Sequence, residues 1–284
     1  MSERPHPRAD ELSSLSTRGL LDLMHGEDRR ALAAVEARLD EVAAAVEAIV
    51  EKLRGGGRLH YFGAGTSGRL AALDAAECRP TFGVAADLVH AHDAGDGEAE
   101  DDDRRGAEEA RRAALRPWDA VIGVSAGGRT AYVLAALVEA RRAGSLLVGI
   151  SCAPGSPLGT AADLAIEIET GPEVIAGSTR LKAGTVQKVV LNMLSTAVFT
   201  RLGHTYRGRM VDLVASNEKL RGRAAGIVAD LTGAPAARVE STLAEAGGNA
   251  KLAILMLRCG LAAGEARSRL SSAGGDLSVA LGEA

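Results

Sequence analysis

Apolar residues recur at alternating spacings of three and four at Leu32, Val35, Leu39, Val42, Val46, Ile49 and Leu53. That period predicts one long amphipathic helix whose stripe packs on the rest of the chain; a dimer seam is the alternative use of the same stripe. Gly55-Gly56-Gly57 then stops it. After this point short apolar runs alternate with helical patterns. Leu59-His60-Tyr61-Phe62 predicts a strand followed by a Gly/Ser/Thr loop and a helix over residues 69–77, and Leu88-Val89-His90 is the next candidate strand. Val121-Ile122-Gly123-Val124 repeats the pattern, with a loop over 125–130 and a helix over 131–143. Residues 146–150 and 164–168 are further short apolar runs, and 183–202 form a long helical pattern. Strands alternating with helices predict an α/β fold, a parallel sheet covered on both faces.

From about Ser216 the strand signal disappears. The remaining stretch reads as three short helices, interrupted at Thr232-Gly233-Ala234-Pro235, Gly247-Gly248-Asn249 and Gly274-Gly275. The chain therefore divides into an N-terminal helical lead (1–54), an α/β domain (55–215) and a C-terminal helical domain (216–284), whose expected role is packing or support of a dimer. No period of 20–50 residues points to a solenoid.

Composition narrows the class. The chain has 284 residues, ample for a sizeable core, and its 46% hydrophobic and 25% charged residues exclude a disordered polypeptide. A formal net charge of −4 argues against a nucleic-acid binder, so any phosphate must be held locally. With three Phe, three Tyr and one Trp there is little material for base-stacking platforms. Cys78, Cys152 and Cys259 are scattered without CxxC spacing, which excludes a disulfide framework or a structural zinc site. No apolar run reaches the ~18 residues of a membrane span. The polar opening MSERPHPRADELSS lacks the pattern of a secretory signal, so a cytoplasmic location is expected.

The chemistry lies in the loops. Gly63-Ala64-Gly65-Thr66-Ser67-Gly68 matches GxGxxG between a strand and a helix, a weak signature of dinucleotide binding when it stands alone. Asp87 is spaced for a ribose contact but precedes its candidate strand instead of ending it. Thr66 and Ser67, hydroxyls beside backbone N–H groups at a helix N-terminus, suit a terminal phosphate dianion better. The pattern recurs at Ser125-Ala126-Gly127-Gly128-Arg129-Thr130, at Ser151, and at Ser178-Thr179 beyond Gly171-Pro172-Glu173. Any one of these hydroxyls is commonly a helix cap. Four such loops at the carboxyl edge of one parallel sheet, where ligands of these folds bind, predict a small phosphorylated, polyhydroxylated ligand.

At these residues the chain resembles a known family. YFGAGTSGRLAALDAAECRPTFG (61–83), GSTRLKAGTVQKVVLNMLST (177–196), MVDLVASNEKLR (210–221) and AGGNAKLAI (246–254) are similar to hallmark segments of the N-acetylmuramic acid 6-phosphate etherases. The likeness covers nearly the whole chain, Leu15-Ser16-Thr17 included. It implies a three-layer α/β/α sugar isomerase (SIS) domain with a C-terminal helical domain, a cytoplasmic homodimer, and removal of D-lactate from carbon 3 of the sugar phosphate. No nucleic acid or membrane partner is expected.

In the open-chain sugar the carbon 2 proton is α to the aldehyde and the lactyl ether β to it. Elimination followed by hydration then needs two carboxyl groups with separated pKa values and no metal or redox cofactor. The resemblance places one at Glu77, in Asp-Ala-Ala-Glu-Cys, and the second at Glu100, in Ala99-Glu100-Asp101; for Glu100, within an acidic run, a solvated face is the competing reading. The rim loops themselves predict substrate contacts from Gly65, Thr66, Ser67, Ser125, Gly127, Arg129, Thr130, Ser178 and Thr179. Glu173 matches a glutamate common in the wider fold, with sugar binding or loop orientation as its two uses. Lys182 and Arg180 face phosphate or lactyl carboxylate, or solvent. Between Glu77 and Glu100 the chain is shorter than typical members, and Cys78-Arg79-Pro80 and Gly128 depart from the family pattern. A phosphosugar-binding regulator without catalysis and a phosphosugar isomerase are the alternative functions.

Overall fold

A computed structural model describes residues 4–213, 215 and 217–283. Contacts separate two compact units, residues 1–75 with 87–195 and residues 76–86 with 196–284. Ser216, the expected start of the helical domain, and Val214 lie outside the described residues.

The first unit holds a five-stranded parallel sheet of β1 (Leu59–Gly63), β2 (Val89–Asp93), β3 (Ala120–Val124), β4 (Leu146–Ser151) and β5 (Leu164–Glu167), in the order β2-β1-β3-β4-β5. β1 and β3 are buried throughout, as expected for strands covered on both faces, whereas the edge strand β2 is half-buried. Register aligns Tyr61 with Ile122 and Ile122 with Val148. On the opposite face Gly123 fits under Val133 and Leu137 of α5 (Ala131–Arg142) and Leu158 of α6 (Pro157–Ala161); an added Cβ would approach all three to 2.9 Å. The face of Tyr61 meets α3 (Gly65–Phe82) and α7 (Lys182–Arg201). There the buried Asp74 accepts hydrogen bonds from the Tyr61 hydroxyl at 3.0 Å, Asn192 at 2.6 Å and Ser195 at 3.0 Å. Burial pushes the Asp74 carboxyl above its ordinary range despite those three donors. The expected α/β/α sandwich is the observed architecture.

Two expectations for helices need correction. The 32–53 stripe is divided between α1 (Thr17–Glu36) and α2 (Leu39–Arg54) by a turn at Ala37-Arg38 that contains neither glycine nor proline. Breaking the helix there rotates the stripe. Val35, Val42, Val46, Ile49 and Leu53 are buried, while Leu32 and Leu39 remain 41% and 44% exposed. α2 packs against β3, β4 and β5. The helix expected over 69–77 is longer, because the Gly-Thr-Ser-Gly segment already forms its first turn and Pro80 sits in its last turns. α4 (Asp103–Arg112) adds an amphipathic helix whose Gly106 approaches the Tyr132 carbonyl so closely that a Cβ would lie 2.1 Å from it.

The second unit is helical; the three glycine breaks all hold and a fourth is added, so its described residues from 217 on form five helices where three were expected. They are α8 (Glu218–Thr232), α9 (Ala236–Glu245), α10 (Ala250–Cys259), α11 (Ala263–Ser272) and α12 (Leu277–Leu281). The extra break between α10 and α11 falls at Gly260, whose left-handed φ of 67° closes α10. Val228, Ala253, Ile254, Leu255 and Ala266 form its core. Two hallmark segments meet within this unit: Lys251, buried, reaches Asp212 at 2.5 Å, and Asp212 also pairs with His204 at 2.9 Å.

At the amino edge of the sheet Asp119 is fully buried just before β3. It accepts the backbone N–H groups of Arg58 at 2.8 Å and Arg116 at 3.0 Å, together with both guanidinium groups. Burial alone would raise its pKa; the Arg58 and Arg116 hydrogen bonds outweigh that and hold it far below the usual carboxylate range. Asp119→Ala should cost roughly 2–4 kcal/mol in denaturant unfolding at pH 7. Because the native pKa is depressed, this contribution is complete above about pH 4 and shrinks as the pH falls below it. Wild type and variant should converge in acid, and an equal difference at pH 2.5 and pH 7 would contradict the assignment.

Candidate active site

Parallel strands deliver their carboxyl ends to one rim, so the segments after Gly63, Asp93, Val124, Ser151 and Glu167 emerge together. Backbone hydrogen bonds knit them. Gly65 N–H donates to the Gly95 carbonyl at 2.7 Å, Ser125 N–H to Ile150 at 3.1 Å, and Cys152 N–H to Ala126 at 2.9 Å.

The first loop is built on missing side chains. A Cβ on Gly63 would lie 2.8 Å from the backbone of Gly68, and one on Gly68 would lie 2.1 Å from Asp93 Oδ1. Gly65 has φ +57°, and a Cβ there would come within 2.6 Å of Glu100 Oε1 and 3.4 Å of Asp96 Oδ1. Carboxylates therefore occupy the space that Gly65 and Gly68 leave. Ser67, buried, donates to Gln187 Oε1 at 2.9 Å, which ties the loop to α7; Thr66 is half-exposed and packs near Gly184.

In the second loop the Ser125 and Thr130 hydroxyls lie 2.8 Å apart. One proton serves that bond, so the other hydroxyl proton is left to donate to an anion. Gly127 is half-buried with open space at its α-carbon, and Arg129 is exposed. Gly128, φ +64°, lets this loop lie against Ser156, whose Cβ would be 2.4 Å from an added Cβ. Sequence reasoning missed Ser156 and Glu167. Glu167 accepts the N–H groups of Gly155 at 2.8 Å and Ser156 at 2.9 Å, which more than offset burial and hold its pKa low, and so it shapes the loop after Ser151. The one signal for it was a charged residue inside the apolar run 164–168.

Ser178 and Thr179 are half-exposed ahead of α7. Glu173 is buried and accepts the N–H groups of Lys182 at 3.2 Å and Ala183 at 2.9 Å, thereby capping α7; burial nevertheless keeps its pKa raised. Lys182 is buried too. Its ammonium lies 2.5 Å from Glu27 on α1, which also pairs with Arg30 and lies 3.4 Å from His6. Burial pushes Glu27 up, but Lys182, His6 and Arg30 prevail and its pKa is lowered. Lys182 thus spends its charge on Glu27, and Arg180 is exposed.

Of the two carboxylates expected to act, Glu100 ends a short 3-10 helix (Gly97–Glu100), half-buried over Gly65. Burial, then Asp96 and Asp101, raise its pKa, with Asp93 adding to them and Arg69 opposing. Glu100 is the half-buried carboxylate of its acidic run, in which Asp96, Glu98, Asp101, Asp102 and Asp103 are exposed. Glu77 belongs to the second unit and is exposed on α3. His60 is buried and stacks on His90 and His92; burial and those neighbours push it down to about 3, so it is a neutral packing residue. Among the described residues no group of three or more His, Cys, Asp or Glu side chains is arranged for a metal ion.

Comparison with known proteins gives this rim a context. The SIS domain family matches residues 105–197. Curated relatives named N-acetylmuramic acid 6-phosphate etherase include one from Rubrobacter xylanophilus, 49% identical, with 100% of this chain and 96% of that protein covered. Another from Cutibacterium acnes is 47% identical over 99% of this chain and 95% of that protein. Among solved structures, a phosphoheptose isomerase from Francisella tularensis shares the fold, with TM-score 0.55 and 15% identity, covering 66% of this chain and 100% of that one. A protein of E. coli CFT073 in complex with A5P does so at TM-score 0.51 and 23% identity, covering 67% of this chain and 95% of that one.

Gly65→Ala should impose both the left-handed backbone penalty and the collision with Glu100. An expected loss of ~1–2 kcal/mol from the backbone alone would appear in thermal unfolding. A crystal structure of the variant should show the Glu100 carboxylate displaced; an undisturbed Glu100 would contradict the packing described.

Proposed function

The chain belongs to the N-acetylmuramic acid 6-phosphate etherase family, and from that premise we propose how its own residues open the lactyl ether. The protein is a carbon–oxygen lyase that converts N-acetylmuramic acid 6-phosphate to N-acetylglucosamine 6-phosphate and D-lactate. The phosphate docks on the rim loops, at the hydroxyls of Thr66, Ser125 and Thr130 and at Ser67 through its backbone N–H, with Gly65 and Gly127 admitting close backbone approach. Ser178, Thr179 and Arg129 face the remaining polar groups of the sugar. Glu173 and Lys182 act from beneath, fixing the start of α7.

Glu100 takes the carbon 2 proton of the open-chain aldehyde. A carboxylate with a raised pKa is a stronger base than an ordinary glutamate, and this favours Glu100 for that step. The electron pair of the C–H bond forms the C2–C3 double bond as the C3–O bond breaks. A proton goes to the departing lactate oxygen, the role for which the family resemblance implies Glu77. Water then adds its hydroxyl to carbon 3 and a proton returns to carbon 2, which completes the hydration. The observation that carries this assignment is the Glu100 carboxylate seated over Gly65, inside the loop that would hold the phosphate.

We place the enzyme in the cytoplasm as a homodimer. No described helix is long and apolar enough to cross a membrane, and the exposed Leu21, Leu32 and Leu39 of α1 and α2 supply apolar surface for a second copy.

Incubation with N-acetylmuramic acid 6-phosphate should release one D-lactate per sugar. Binding of the sugar phosphate without lactate release would instead indicate a regulator. Glu100→Gln and Glu77→Gln should each lower kcat by about 10²–10⁴-fold. As the base must be ionised, kcat/KM should fall on the acid side with a midpoint above the ~4.3 of a free glutamate. A midpoint at or below that value would contradict the role of Glu100.

A further inference from the structure

Glu100 reaches Gly65 from the 3-10 turn Gly97–Glu100, which packs on α5 and sets Ala99 against the core of the first unit. Gly95 and Gly97 flank Asp96 with φ +83° and +68°, and nothing lies within 4 Å of a Cβ at either. Upstream, the segment is well anchored. Ala94 N–H donates to Gly63 at 3.1 Å, Gly65 N–H to Gly95 at 2.7 Å, and Arg105 to the Ala94 carbonyl at 2.8 Å. Arg105 is itself held by Glu109 at 2.8 Å, and Glu109 accepts the Tyr132 hydroxyl. Between Gly95 and Glu100 the tie to the phosphate-loop helix is made by a side chain: Arg69 Nη1 of α3 donates to both Asp96 oxygens, at 2.8 and 2.7 Å. The same Asp96 carboxylate shares with Glu100 the space over Gly65.

We propose that Asp96 and Arg69 form a clamp that positions Glu100 over the first rim loop, Asp96 acting as the positioning residue and Arg69 as its anchor. This rests on the reading of Glu100 as the base. Gly95 is held on both sides, its N–H by Asp93 Oδ1 at 2.9 Å and its carbonyl by Gly65 N–H at 2.7 Å, so the conformational freedom lies about Asp96 and Gly97, and a change there would carry Glu100 elsewhere. A surface ion pair contributes little to global stability, here with side chains 54% and 70% exposed, yet it needs only to select one loop conformation to place the carboxylate. The clamp also sets charge. Asp93, Asp96 and Asp101 face Glu100 with like charge and Arg69 with opposite charge, so Asp96 keeps the base strong while Arg69 stops the cluster repelling itself apart.

The test compares Asp96→Ala, Asp96→Asn, Arg69→Ala, Arg69→Lys and Glu100→Gln in the full-length enzyme. Readouts are kcat, KM, the acid limb of kcat/KM, the affinity for N-acetylglucosamine 6-phosphate, and the melting temperature. Asp96→Ala and Arg69→Ala should lower kcat about 10–100-fold, with KM, product affinity and melting temperature nearly unchanged. Arg69→Lys, which keeps a one-point tie, should recover part of the loss. Asp96→Asn keeps an acceptor but removes the charge, so the acid limb should move to lower pH. Wild-type kcat and an unmoved limb in both alanine variants, beside an inactive Glu100→Gln, would overturn the clamp and leave the base intact. A rise in KM with weakened product binding at unchanged kcat would assign Arg69 to the substrate and likewise overturn it. Wild-type turnover in Glu100→Gln would remove the base itself and the clamp with it.

Discussion

The candidate site depends on how closely the backbone after β1 can approach its neighbours. Gly63, Gly65 and Gly68 lie where any side chain would strike backbone or a carboxylate. In a dinucleotide fold the same spacing admits a pyrophosphate. Here part of the space is filled by Asp93 and Glu100, protein groups of the same charge sign as the expected ligand. The proposed base therefore lies beside the proposed phosphate loop, with Arg69 the nearby cation, 2.7 Å from Asp96 and 3.4 Å from the Thr66 hydroxyl. In the proposed reaction, repulsion and partial burial serve the chemistry, because they make the Glu100 carboxylate more basic.

The rest of the first unit supports this approach from two sides. At the amino edge of the sheet Asp119 locks the starts of β1 and β3 through Arg58 and Arg116. Beneath the rim, Asp74 gathers β1, α3 and α7, while Ser67 and Gln187 fix the loop to α7. α7 is in turn set by Glu173 at its first N–H groups and by the Lys182–Glu27 pair. Buried polar groups of this kind are costly unless fully partnered, and once partnered they permit few alternative packings. The second unit uses the same device: Lys251 and Asp212 join two segments that are distant in sequence.

Periodicity and turn chemistry alone determined much of the protein. All five strands, the parallel arrangement and the helical character of the stretch after residue 216 follow from apolar runs separated by glycine-rich loops. Those are local properties that packing did not overrule. The hydroxyl-rich loops were legible for the same reason, since a parallel sheet leaves its strand ends a single rim. Tertiary contacts decided the turn at Ala37-Arg38, which no residue type announces, and the burial of Val35 and Val42 with Leu32 and Leu39 left exposed. They decided the use of Lys182 and Glu173 as well, because a charge is spent on whichever partner packs against it. Above all, an acidic run reads as solvated surface until the chain is folded. Only the fold brings Glu100 over a glycine 35 residues earlier, where the lack of a side chain leaves room for its carboxylate.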